Sequence, residues 1–317
     1  MAELPPELAH LLDTAKSPEP SLPARLRALA WLAQIINRTI AEAMVPQPGH
    51  YQIQQPHWTQ EWALTTADVT STFCQINQIV HKQIIPLLAK HQIALSAIEA
   101  LTPEQQRWLR EYFINRVYPL LTPLAVDPGH PFPYISSDSL NFLILLQAPT
   151  SPVLGRPRLL FARVKVPRHA VPRIVHIPTL NALPNQHAET HNLVWCADLV
   201  RYFADILFPG MMVTGIYQFH VLRAAVAAGH EQAQAQVRQQ KAAPVVRLDI
   251  EERAPQWLIR WLVEHLDVAV DSVVACAMPL EIASLSDLAD HVAPLLSDQP
   301  GQNAAFSPLA QAVKAQA

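Results

Sequence analysis

The sequence predicts an α+β protein in which a helical amino-terminal domain is followed by a mixed α/β-sheet domain, and three observations carry that expectation. Apolar residues in roughly the first ninety positions recur at three- and four-residue steps. Beyond them come short β-branched runs bounded by Pro and Gly, and the later runs alternate with helical patterns. At 317 residues, 50% hydrophobic and 15% charged, the chain is long enough to bury two cores.

In order, Ser21 precedes Leu22 and Pro23 at a helix start. Leu22, Leu26, Leu29, Ala33, Ile36 and Ile40 then make one stripe, which Pro46, Pro48 and Gly49 end. A second amphipathic helix is expected from about Ala67 to Ala89 on Val69, Phe73, Ile76, Val80, Ile84 and Leu87, with Pro86 kinking its last turn. A third opens at Thr102-Pro103-Glu104-Gln105, with Thr102 as N-cap and Gln105 at the capping-box position. Trp108, Leu109, Phe113 and Val117 form its buried face. The domain boundary is placed just before it, giving a helical domain 1–92, a second domain 93–296 and a patternless tail 297–317.

Strands are expected at Ser139 to Gln147, Leu159 to Val166, Ile174 to Ile177, Ile216 to Leu222, Val245 to Ile250 and Ser272 to Ala277. Helices are expected at about Ala197 to Leu207, His230 to Gln240 and Pro255 to His265, the last with Trp257, Leu258, Trp261 and Leu262 on one face.

Between the third helix and the first long strand runs a stiff loop in which Pro119, Pro123, Pro128, Pro131 and Pro133 each fix φ and remove an amide donor. It holds Asp127, His130 and Tyr134. Two readings stand for it. The loop is either a site or, since Asp127-Pro128-Gly129 is ordinary turn chemistry and His130 has no partner in the sequence, a structural connection built on Asp127, His130, Pro131 and Pro133.

Charge is distributed unevenly. From Asp138 to Glu189 no acid intervenes, yet Arg156, Arg158, Arg163, Lys165, Arg168 and Arg173 all fall there. Alternation along LLFARVKV puts Arg163 and Lys165 on one strand face with Phe161. Such a row, Arg163, Lys165, Arg168 and Arg173, suits phosphate oxygens, or else it is a solvated face paired with acids from elsewhere such as Glu251 or Glu252.

Several classes are disfavoured. A net charge of −3 argues against a general nucleic-acid binder. There is no apolar run of about 18 residues and no basic, apolar leader, so neither a membrane span nor export is expected, and the protein is placed in the cytoplasm. Three scattered cysteines, Cys74, Cys196 and Cys276, read as reduced thiols with no metal spacing. Gly210 to Gly215 has the glycine spacing of a phosphate loop, but Ile216 and Tyr217 stand where Lys and Ser or Thr belong.

Five ordered blocks, Leu120 to Leu146, Arg158 to Pro178, Asp198 to Ala224, Val245 to Glu252 and Met278 to Leu288, resemble the amino-terminal and head (middle) domains of bacterial polyphosphate kinases, the long-chain-synthesising family. The resemblance implies subunits that pair as homodimers, polyphosphate as the polyanion and Mg-ATP as ligand. It also implies that catalysis resides in two further carboxy-terminal domains carrying a phosphorylated histidine, a second catalytic histidine and metal-associated arginines. No histidine here sits in a His-x-Lys frame, and the sequence stops after MPLEIASLSDL, about where those domains would begin.

Two departures bear on ligands. Where the family reads R-L-K-F-L-x-I-F-S-x-N-L-D-E-F-F, with the asparagine associated with the nucleotide base, Ile35 stands at the asparagine position and offers neither donor nor acceptor. Asn37 is about 200° further around the helix. Where the family reads F-R-V-T-R-N, this sequence has F-H-V-L-R-A, so that His220 replaces an arginine and Arg223 is kept. The expectation is a non-catalytic binding or scaffold homologue without a cofactor, homodimeric, with polyphosphate or a catalytic chain as partner. The alternatives are the amino-terminal half of a split ATP:polyphosphate phosphotransferase, or a remnant without activity.

Overall fold

The computed structural model describes residues 4–43, 65–126, 132–148, 159–168, 170–179, 190–225, 243–276 and 281–297. The expected helix at His230 to Gln240 and the tail lie outside these residues. A short helix α1 (Pro6–Lys16) packs on α2 (Leu22–Ala43), whose stripe of Leu22, Leu26, Leu29, Ala33, Ile36 and Ile40 is buried throughout. Arg25 is also buried, because its Nε donates to the Ala15 carbonyl at 2.7 Å and its Nη2 to Gln83 Oε1 at 2.6 Å. Helix α3 (Thr66–Ile79) starts at a capping box between Thr65 and Asp68.

A π-helical turn at Val80–Ile84 joins α3 to α4 (Ile85–Lys90). Pro86 cannot donate to the carbonyl one turn back, and the chain widens just ahead of it, with the Ile85 amide bonded to the Val80 carbonyl. The apolar stripe slips by one residue as a result. Leu88 is fully buried and Leu87 only partly, a correction to the stripe expected from the sequence. The same arrangement recurs after α5 (Pro103–Tyr112), where a π-helical turn at Phe113–Val117 precedes Pro119.

The strands form two sheets. In the smaller, β1 (Ile93–Leu95) runs parallel to β6 (His191–Trp195), which pairs antiparallel with β5 (Ile174–Ile177). The larger has the order β2-β4-β3-β7-β8-β9, from β2 (Leu124–Val126), β3 (Ser139–Gln147), β4 (Leu159–Lys165), β7 (Met212–Arg223), β8 (Val245–Glu251) and β9 (Val273–Cys276). Its strands are antiparallel except β8 and β9, which are parallel and joined through α8 (Gln256–Leu266). Helices α6 (Cys196–Tyr202) and α7 (Ala204–Leu207) lead into β7, and α9 (Leu285–Ser297) follows β9.

Alternation along β3 assigns the cores. Leu140, Phe142, Ile144 and Leu146 belong to a core continuous from Leu8 of α1 to Val292 of α9, so apolar packing crosses the 92/93 position without a break. Leu143 and Leu145 face the other way, joining Phe219, Val221, Leu248 and Ile250 under Leu258, Leu262 and Leu266 of α8. Each such side chain contributes about 1.5–3 kcal/mol on burial. Trp257 and Trp261 flank the leucine ridge of α8 rather than forming it, and Trp261 stacks on Phe161 with centroids 4.9 Å apart. The α+β architecture expected from the sequence is the one observed.

Candidate functional site

Arg163 and Lys165 share a face of β4 with Phe161, as alternation requires, but that face lies towards α8. Arg163 is 6% exposed, and its Nε and Nη2 both donate to Asn141 Oδ1, at 2.9 and 2.6 Å. Lys165 is partly buried and donates from Nζ to Ser136 Oγ at 2.7 Å. Burial disfavours the charged form of both.

Arg168 and Arg173 lie elsewhere, against acids that are not the ones the sequence suggested. Arg168 is paired with Asp138, and its Nε lies 3.6 Å from Glu281 Oε1. Arg173 is buried against Glu281, Nε to Oε2 at 2.8 Å and Nη2 to Oε1 at 3.0 Å. Glu251 is held by Arg201 at 2.6 Å, not by this group. The four cations of the expected row therefore divide between two places, and each has an internal partner.

Of the proline-rich loop, Asp127, His130 and Pro131 lie outside the described residues. Pro133 and Tyr134 are placed, and the Arg223 guanidinium sits 4.7 Å from the centre of the Tyr134 ring. Arg223 fixes this turn from beneath by donating to the carbonyls of Ile135 at 2.7 Å and Ala243 at 2.6 Å.

Between the sheet and the amino-terminal helices lies an ionic chain that sequence reasoning missed. Register pairing sets His220 of β7 opposite Asp249 of β8. His220 Nδ1 lies 3.0 Å from Asp249 Oδ2, and Nε2 lies 3.1 Å from Asp138 Oδ1. Asp138 is presented from a turn in the left-handed region, φ 50°, which an aspartate tolerates better than most residues. Asp249 also accepts from Arg247, Nε at 2.7 Å and Nη2 at 2.9 Å. Arg247 is 1% exposed, lies 5.0 Å from the Phe73 ring centre of α3, and donates from Nη2 to Asn37 Oδ1 of α2 at 2.5 Å. Asn37 thus points at the sheet.

Burial alone would discharge His220, but hydrogen bonds to Asp138 and Asp249 overcome it and push the imidazole up to about 9. Asp138 is held well below the usual carboxylate range by its hydrogen bond to His220, with Arg168 adding to the effect. Asp249 is held low as well, against its burial, by Arg247 and His220. At neutral pH the chain is fully ionised. An imidazolium enclosed by two carboxylates is no general base, and its chemistry is positional, tying α2 and α3 to the sheet.

A signal for it does exist in the sequence. VVRLDIE places Arg247, Asp249 and Glu251 on one face of an otherwise apolar strand, a pattern that requires buried partners.

Ile35 is partly buried against the main core, and its aliphatic side chain carries neither donor nor acceptor. Arg25 is engaged with Ala15 and Gln83, and Arg27 with Asp290 at 2.8 Å. Gly210 has φ 78° in a turn, and a Cβ on Gly215 would come 2.9 Å from the Tyr217 ring, so these glycines serve β7. Among the described residues no group of three or more His, Cys, Asp or Glu could hold a metal ion, no helix is long and apolar enough to cross a membrane, and all three cysteines are free. Burial pushes the Cys196 thiol up to about 12.

Comparison with known proteins places this arrangement. Residues 104–288, more than half of the chain, match the polyphosphate kinase middle domain. A polyphosphate kinase of Thermosynechococcus vestitus is 37% identical over 59% of this chain and 26% of its own length, and one of Prosthecochloris aestuarii is 32% identical over 73% and 33%. The chain thus spans about a third or less of these relatives. The crystal structure of a polyphosphate kinase from Porphyromonas gingivalis superposes with a TM-score of 0.69 at 20% identity, over 96% of this chain and 42% of that one, a likeness of fold.

Proposed function

The chain belongs to the polyphosphate kinase family, and we propose that within it this polypeptide is a scaffold and binding module rather than the seat of phosphoryl transfer. One observation carries the reading: Arg163, Arg173, Arg201, Arg223 and Arg247 all donate to acceptors inside the protein. Guanidinium groups committed in this way hold the fold and are not open to a polyphosphate chain. Ile35 at the family's base-associated position supports the same conclusion. Polyphosphate contact then falls to Lys165 and Arg168, which keep partial exposure, and is weak and salt-sensitive. A homodimer in the cytoplasm is the assembly we assign to it.

The test is direct. Purified chain incubated with Mg-ATP forms no polyphosphate and takes no labelled phosphate onto histidine. Labelling abolished by replacing a single histidine overturns the proposal.

A second reading is favoured by the superposition on 42% of a polyphosphate kinase. In it the chain is one portion of an ATP:polyphosphate phosphotransferase whose histidine-bearing domains lie on a separate polypeptide. Activity that appears only on mixing the two would select it.

A further inference from the structure

In the smaller sheet His176 of β5 stands opposite Leu193 of β6, and His191 lies two residues before Leu193 on the same strand. Alternation puts all three side chains on one face, and a diagonal pair of this kind is within reach across antiparallel strands. The two imidazoles do meet, with ring centres 5.4 Å apart and planes inclined at 58°. His176 is exposed between buried Val175 and Ile177, and His191 is partly exposed. Among the described residues neither ring is engaged by a hydrogen bond. The backbone beneath them is tied down, since the His191 amide donates to the Gln92 carbonyl ahead of β1 at 2.8 Å.

We infer that His176 and His191 form a two-histidine site for a divalent transition-metal cation of the zinc type. Imidazole nitrogen is a preferred donor to such ions, at about 2.0–2.1 Å in a tetrahedral arrangement. Two imidazoles held at that distance on one tetrahedral ion have ring centres roughly 5 Å apart. The spacing in the sheet is close to this, so rotation of the rings, without movement of the strands, brings a nitrogen of each onto the ion. Metal binding requires neutral imidazoles. Burial first, and then neighbouring His191 and His291, drive His176 towards that form. His291 comes from α9 and has its Nδ1 2.9 Å from the Asp287 carbonyl. No third side chain among the described residues completes the site, so water or a donor from another molecule fills the remaining positions and the ion exchanges readily. Magnesium, which demands oxygen ligands, is excluded by the same donor set. The pair takes no part in the polyphosphate contact and does not depend on it.

The experiment titrates the full, untagged chain with zinc chloride near neutral pH, with magnesium chloride as control, and follows heat of binding and Tm. Zinc binds saturably and raises Tm, and magnesium does neither. His176→Gln and His191→Gln each weaken zinc binding at least about tenfold, the loss that removing even an outer partner of a metal ligand brings. His265→Gln, at an exposed histidine of α8, leaves it unchanged. Acidification to about pH 5 releases the ion. A readout on the parent needs no variant to fold: zinc shields His176 and His191, but not His265, from diethyl pyrocarbonate, mapped by peptide mass. Absence of saturable zinc binding overturns the assignment, as does undiminished affinity in either ligand variant, an equal loss in His265→Gln, or failure of zinc to shield the pair.

Discussion

Towards α8 the large sheet presents Leu143, Leu145, Phe219, Val221, Leu248 and Ile250, whereas on the opposite face the same strands present Gln218, His220, Arg247, Asp249 and Glu251 between their apolar neighbours. Away from the Arg163–Asn141 pair at its edge, the first face is held by dry packing, which is strong but tolerates many arrangements. The second demands particular partners at particular distances, because an ion left unpaired there costs several kcal/mol. The difference separates two tasks. Apolar packing secures α8, and the ionic chain fixes how α2 and α3 sit on the sheet.

The largest expected effect comes from breaking the ionic face. Asp249→Ala leaves Arg247 and His220 buried without their carboxylate and should destabilise the fold by about 3–5 kcal/mol in urea denaturation. A loss under 1 kcal/mol would mean that the face is hydrated and the contrast illusory. On the dry face, Leu262→Ala should cost about 2–5 kcal/mol, the usual range for a buried leucine in a packed core. Acid or alkali should leave that second loss unchanged, which is how the two faces are told apart.

Proton linkage sharpens the comparison further. His220 has a folded pKa of about 9, above its unfolded value near 6.5, so its stabilisation is complete below about pH 6.5 and lost as pH rises through 9. Asp138 and Asp249, held low in the folded state, act oppositely: their stabilisation is present above about pH 4 and lost on acidification. Urea midpoints across this range should therefore peak between the two limbs, and His220→Gln should abolish the alkaline limb while making the acid limb shallower, since Asp138 and Asp249 lose the imidazolium that holds them low. An unchanged alkaline limb in that variant would remove His220 from the account.

The smallest effect concerns polyphosphate. Lys165→Gln with Arg168→Gln should weaken binding only about 1.4- to fivefold per residue at low salt, as exposed pairs are worth roughly 0.2–1 kcal/mol each. Arg163 is a poor probe, since Arg163→Gln also strips Asn141 of both its donors. Filter binding at two ionic strengths measures the change, and parent-like affinity in the double variant rules these side chains out.

Much of the fold was legible because the central strands advertise themselves. Ser139 to Gln147 and Ile174 to Ile177 form over the residues expected, since β-branched and apolar runs bounded by Pro and polar turns have few alternatives. Three short strands, β1, β2 and β6, were not expected, for they exist through their neighbours and carry no periodicity of their own. Helix α9 went unrecognised for a similar reason, with Pro294 breaking its pattern. The slip from Leu87 to Leu88 follows from a turn of π-helix, which no 3.6-residue template contains. The cations were found and their acids were not, because Glu281 lies 108 residues from Arg173 in the chain and only the fold brings the two together.

The packing of α2 against α9 has a consequence for synthesis. The buried stripe of Leu26, Leu29 and Ile36 is shared with Leu288 and Val292, which are made some 250 residues later. At the roughly 5–20 residues per second of a ribosome, that stripe waits tens of seconds for its cover. Contacts of such sequence separation also close late during refolding, after the sheet they lean on exists. For that interval the amino-terminal helices are clients for whatever shields nascent apolar surface, and a stalled or truncated product lacking α9 would be an aggregation seed rather than a smaller working protein.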